Sequence, residues 1–140
     1  MNRSMTTNPI EGSLLGRVDR RDEQGPFDII GDVHGCAGEL ESLLVRLGYD
    51  VRWSGVPGAV DVSVIPPAGR RAIFVGDLVD RGPRAPDVLR IVMSMVGSGV
   101  GMAVPGNHDV KFLRWLDGKK VAPTHGLDRT IAQFEAEPRA

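Results

Sequence analysis

Three short segments of this sequence gather residues able to hold a metal ion: Gly31-Asp32-Val33-His34-Gly35, Gly76-Asp77-Leu78-Val79-Asp80-Arg81-Gly82 and Gly106-Asn107-His108-Asp109. Carboxylate, imidazole and amide oxygen together suit divalent ions such as Mn²⁺, Zn²⁺ or Fe²⁺, with no thiolate to favour a softer metal. Asp32 and His34 are two residues apart, so in extended backbone both side chains project to the same side and can grip one ion. The Asp77 carboxylate, with its two oxygens, can bridge that ion to a second. Taken singly these signals are weak. A Gly-Asp or Asp-Arg-Gly is usually a turn, and a lone histidine is usually a hydrogen-bonded structural one. Their joint occurrence carries the reading.

The elements around them must bring three loops to one place. Phe27 to Ile30 is a compact apolar strand, and Leu40, Leu43, Leu44 and Leu47 recur at the spacing of one helix face, ended by Gly48. Val60 to Ile65 alternates as a half-buried strand does, and Ala72 to Val75 is a short buried run. These two are expected to pair through a turn near Gly69. Val88, Leu89, Val92, Met93 and Val96 trace a second amphipathic helix with Pro86 at its first turn, and Val100 to Val104 follows as a strand. Val110 to Leu116 and Leu127 to Phe134 read as helices. Strands alternating with helices make this an α/β chain, and in such sheets the loops beyond the carboxyl ends of the strands gather along one edge.

Before Phe27 the texture differs. Residues 1–26 mix Asn, Ser, Thr and Gly with a charge cluster from Arg17 to Glu23, which reads as a tail or linker ahead of a folded unit over residues 27–140. The 140 residues, 41% of them hydrophobic, are enough for one core and hardly for two. A formal net charge of -1 argues against a general nucleic-acid or membrane binder, so any phosphate recognition has to be local. Cys36 is the only cysteine, which excludes an internal disulfide and fits a reducing, cytoplasmic setting. No apolar run approaches the length of a membrane span.

The motifs GDVHG, GDLVDRG and GNHD, in this order, resemble the calcineurin-like metallophosphoesterase superfamily in its phosphoprotein-phosphatase-like branch. More narrowly, DRRDEQGPFDIIGDVHGC, AIFVGDLVDRGP, VPGNHDVKFLRWLDGK and THGLDRT are similar to the phosphatase module of bacterial polynucleotide kinase-phosphatase, an RNA end-repair enzyme. The motifs also resemble those of bacterial protein phosphatases and symmetrical dinucleoside tetraphosphatases. The superfamily resemblance implies a two-sheet αββα sandwich of which this chain holds the first half, and a two-metal site using manganese foremost, or iron, zinc or nickel.

By position, the resemblance gives Asp32 and His34 to the first metal, Asp77 to the bridge and Asn107 to the second. It places Arg81 on a phosphate oxygen, His108 at the leaving group, and Asp80 as the partner that orients His108 or raises its pKa. The chemistry is coherent. Two cations about 3.5 to 4 Å apart can hold a hydroxide nucleophile and neutralise phosphoryl oxygens during in-line displacement. Arg81 offers a fork of donors to those oxygens, and a protonated His108 can give its proton to the departing alkoxide. Hydrolysis of a phosphoester, foremost at polynucleotide ends, is the activity implied.

Other polar residues have plainer readings. Asp109 is expected to support its loop by accepting backbone hydrogen bonds, His125 to be a loop histidine, and Arg70 and Arg71 to lie on a solvated strand edge. The resemblance also implies further histidines, from later loops, around the second metal, and an apolar sheet face that a second half would cover. On that reading the chain is a fragment, completed by a complementary chain that supplies the missing half-site, or else an inactive metal-binding remnant that adheres to partners through its open face.

Overall fold

The computed structural model describes residues 19–138, so most of the expected tail over residues 1–26 lies outside the described residues. Nine elements follow in order: β1 (Phe27–Ile30), α1 (Ala37–Arg46), β2 (Asp50–Val56), β3 (Ala59–Ile65), β4 (Arg71–Phe74), α2 (Ala85–Gly97), β5 (Gly101–Ala103), α3 (Asn107–Leu116) and α4 (Leu127–Glu135). β1, β4 and β5 form a parallel sheet with β4 in the centre, in register from Phe27↔Arg71 to Ile30↔Phe74 and from Ala72↔Gly101 to Phe74↔Ala103. Short apolar runs suit such strands, since a parallel strand between two neighbours has little use for a polar face.

The expected pairing of the 60–65 and 72–75 runs is corrected. β3 instead pairs antiparallel with β2, a strand not anticipated from the sequence, through a turn at Pro57-Gly58, and β4 belongs to the other sheet. β2 buries only part of Val51 and Trp53, between polar Arg52 and Ser54, and its outer end is exposed throughout. So thin an alternation carries little local signal of a strand. Pro at the first central position and Gly58 at φ 89° supply the turn.

One face of the parallel sheet packs inward. Ile30, Ala72 and Phe74 join Leu40 and Leu44 of α1, Val62 and Val64 of β3, and Val88, Ile91 and Met95 of α2 in the main core. α2 closes on Gly99, whose φ of 79° lets the backbone reverse. The Gly99 N–H donates to Val96 and the Val100 N–H to Met95, satisfying the last helical carbonyls and launching β5 at once. A second cluster, Val79, Ala85, Phe112 and Leu127, ties α3 and α4 to the loop after β4.

The other face of the sheet is open among the described residues. Ile29 is 71% exposed, Val75 48% and Val104 56%, next to an apolar hollow lined by Phe27, Ile73 and Met102. No helix among the described residues is long and apolar enough to cross a membrane.

Candidate metal centre

Since β1, β4 and β5 run parallel as neighbours, the three loops that carry Asp32, Asp77 and Asn107 leave the sheet along one edge. Backbone hydrogen bonds then stitch them together. The His34 N–H donates to Asp77 O at 2.9 Å, Gly35 N–H to Leu78 O at 2.8 Å, and Arg84 N–H to Gly35 O at 2.8 Å. Asp109, buried at the start of α3, accepts from the backbone N–H groups of Leu78 (2.8 Å), Val79 (3.3 Å) and Gly106 (2.8 Å), so one carboxylate joins the second loop to the third. Gly106 sits so close that a Cβ there would lie 2.2 Å from Asp77 Oδ1.

Within this frame the side chains converge. One ligand atom from each of His34, Asp77 and His108 lies within 4.8 Å of the others, and the two imidazole rings meet edge to face at 4.8 Å. Both rings are held from behind. His34 Nδ1 is 3.0 Å from Val79 O, and His108 Nδ1 is 2.7 Å from Asp80 Oδ2. A carbonyl and a carboxylate only accept, so each Nδ1 carries a proton and, in the neutral ring, Nε2 is the nitrogen left with the lone pair. Asp77 Oδ1 also accepts the His108 backbone N–H at 3.2 Å, at the positive end of α3.

The backbone here is unusual. Among the described residues, the non-glycine positions with positive φ are Asp32 (51°), His34 (44°), Asp77 (54°), Asp80 (72°), Arg81 (70°) and His125 (58°). Left-handed backbone costs an L-residue about 1 to 2 kcal/mol, and such strain persists where surrounding contacts over-determine it, often at functional sites. The extended backbone expected for Asp32 and His34 is therefore corrected: both are left-handed, because the loop must turn back to bond the Asp77 and Leu78 carbonyls.

Residues 25–138 match the calcineurin-like phosphoesterase family. The chain belongs to this family. Its architecture is consistent with the N-terminal part of the family's α/β fold. Among curated proteins it is 46% identical over 110 residues to a protein of Halalkalibacterium halodurans named bis(5′-nucleosyl)-tetraphosphatase PrpE [asymmetrical], covering 79% of this chain and 42% of that one. Proteins of the same name from Geobacillus thermodenitrificans (44% over 112 residues; 80% and 42% covered) and Bacillus subtilis (41% over 109; 78% and 41%) are similar. The chain thus spans about two fifths of the length of the curated relatives it matches. The superfamily resemblance holds, whereas the narrower likeness to polynucleotide kinase-phosphatase finds no support among these relatives.

Calcineurin-like phosphoesterases use divalent metal ions, and the donor set here fits them: two imidazoles and a carboxylate, each with a ligand atom within 4.8 Å of the others. Of the other residues singled out from sequence, Asp32 is exposed and stands outside the three-residue cluster, and Asn107 is exposed at the first turn of α3. Arg81 is exposed beside the site. His125 is exposed in the loop whose Gly126 abuts the Arg81 backbone. Arg70 and Arg71 serve the fold: Arg70 pairs with buried Asp28, and Arg71 pairs with Glu23 at 2.5 Å over the Phe27 ring.

Three residues of α4 escaped the sequence reading. Thr130 binds Asp80, Arg129 donates to Arg81 O at 2.6 Å, and Gln133 donates to Gly82 O at 2.9 Å while accepting the Ala85 N–H at 2.8 Å. The only sequence signal was a hydroxyl at a helix position that periodicity assigns to the buried face, and a threonine there is common without such a role.

Proposed function

We propose that this chain carries the metal-binding part of a dinucleoside tetraphosphatase, which splits a four-phosphate bridge unequally into nucleoside triphosphate and monophosphate. The observation that carries the reading is the identity of 41% or more to proteins of that name across the stretch holding all three site loops. On this reading Asp32, His34 and Asp77 would hold a first divalent ion, and Asp77 and Asn107 would contribute to a second, with manganese as the metal. Bound divalent ions supply positive charge for phosphoryl oxygens and acidify water for attack.

The chain's own residues do the rest. Arg81, exposed at the rim, presents its guanidinium fork to phosphate oxygens. His108, with Nδ1 fixed on Asp80, directs Nε2 toward the reacting phosphate and passes a proton to the departing oxygen when protonated. The buried Asp80 carboxylate stabilises the imidazolium that this requires. The reading takes nucleotide substrates in a cytoplasmic setting.

Hydrolysis by the purified chain in Mn²⁺ should be compared across a dinucleoside tetraphosphate, an aryl phosphate, an RNA 3′-phosphate and a phosphopeptide, with Asp77→Ala as control. Preferential, Asp77-dependent cleavage of the tetraphosphate into unequal products supports the proposal. Equal or better turnover of the RNA end or the phosphopeptide overturns it.

A further inference from the structure

We infer that Thr130 is a positioning residue for His108, acting through Asp80 to hold the imidazole with Nε2 turned into the metal centre. The Thr130 hydroxyl donates to Asp80 Oδ1 at 2.7 Å and accepts the Asp80 backbone N–H at 2.9 Å. Its direction is fixed, because a carboxylate accepts and an N–H donates. Asp80 Oδ1 is thereby occupied, and Oδ2 faces His108 Nδ1 at 2.7 Å. Both Thr130 and Asp80 have no solvent exposure, so no surface water can replace either bond.

The clamp extends along α4. Arg129 and Gln133 bind the carbonyls of Arg81 and Gly82, so residues 129, 130 and 133 grip consecutive carbonyls and the carboxylate of one loop. That loop has Asp80 and Arg81 at φ 72° and 70°, a conformation it would not keep unaided. Removing the Thr130 hydroxyl leaves a buried carboxylate oxygen unpaired, free to rotate and compete for the His108 proton in other geometries. Because an outer partner of a ligand-bearing histidine fixes its tautomer and ring orientation, the effect reaches Nε2 without Thr130 touching metal or substrate.

Only the use of Nε2 rests on the proposed function, and the test separates the two. Histidine ring ¹⁵N NMR of the metal-free chain reads the tautomer of each of the three histidines, and phosphoester turnover in Mn²⁺ reads the use of Nε2, for wild type, Thr130→Val and Thr130→Ser. The expected result is a single Nδ1–H tautomer for His108 in wild type and Thr130→Ser. In Thr130→Val the tautomers mix and turnover falls about tenfold, the lower end of what such outer partners contribute. A wild-type tautomer and turnover in Thr130→Val overturn the inference, as does a loss in Thr130→Ser equal to that in Thr130→Val. Should Thr130→Val not fold by circular dichroism, Thr130→Ala against Thr130→Ser makes the same comparison. If wild type itself shows no turnover, the proposed function fails and the tautomer comparison still decides the role of Thr130.

Discussion

Asp80, in the loop after β4, and His108, in the first turn of α3 and 28 positions later, meet at 2.7 Å between Oδ2 and Nδ1 with Asp80 fully buried. Each lies just past the end of a different parallel strand, and the adjacency of β4 and β5 is what brings them together.

The Asp80→Asn substitution preserves shape but offers a neutral amide to His108. The introduced group can donate as well as accept, so the imidazole is no longer confined to the Nδ1–H tautomer. Turnover is expected to fall about 10- to 100-fold. Circular dichroism should stay native, and a phosphoester assay checks the outcome.

Gly106 tests how tightly the second and third loops are pressed together. At φ −87° its backbone suits any residue, so the demand for glycine is steric: an added Cβ meets Asp77 Oδ1 at 2.2 Å and Asp77 N at 2.5 Å. Gly106→Ala is expected to cost about 1 to 3 kcal/mol, as overpacking does, and to weaken metal binding. Gly38→Ala is the contrast. Nothing lies within 4 Å of a Cβ there, and as a residue of α1 it should gain about 0.5 to 1 kcal/mol. Thermal unfolding of the two variants should shift in opposite directions.

Much of this arrangement was legible in the sequence because it depends on strand-end glycines and short apolar runs. The β1, β4 and β5 runs and the helical faces of Leu40 to Leu47 and Val88 to Val96 are patterns of local burial. What stayed hidden depends on distant partners. β2 shows only Val51 and Trp53 to the core, so β3 was matched with the wrong neighbour. Left-handed backbone at Asp32 and His34 leaves no mark when the residues are not glycine. Thr130 reads like any buried helix threonine until the loop about 50 residues earlier is folded against it.

Tyr49 gives the fold a pH signature. Its hydroxyl is buried and donates to Asp28 Oδ2 at 2.9 Å, and Asp28 also pairs with Arg70. Burial first, then the Asp28 carboxylate, push the phenol from its ordinary 10.0 up to about 12. A phenol raised in the folded state favours folding fully below its unfolded pKa, and the contribution is lost as pH rises through the folded one. Stability should therefore decline between about pH 10 and 12. As Tyr49 is the only tyrosine, tyrosinate difference absorbance reports it alone. Asp28→Ala should bring the midpoint down only part of the way, because burial, the larger cause, remains.

Asp77 is where metal binding and fold can be separated. Its carboxylate belongs to the three-residue cluster and also receives the His108 N–H at the start of α3, with its own backbone left-handed at φ 54°. Asparagine tolerates that conformation and can still accept the N–H, so Asp77→Asn should leave the loop in place. It removes only the charge, which at a helix N-terminus contributes about 0.3 to 1 kcal/mol, so thermal stability should drop by no more than that. The lost anionic ligand should lower Mn²⁺ affinity by at least the 10- to 100-fold typical of mere outer partners. Asp32, proposed to hold the first ion yet exposed and outside the three-residue cluster, makes the comparison: Asp32→Asn should weaken Mn²⁺ binding as Asp77→Asn does, because Asp32 swings onto the ion when metal arrives. An unchanged affinity in Asp32→Asn would overturn its assignment to that ion, leaving His34 and Asp77 to hold it.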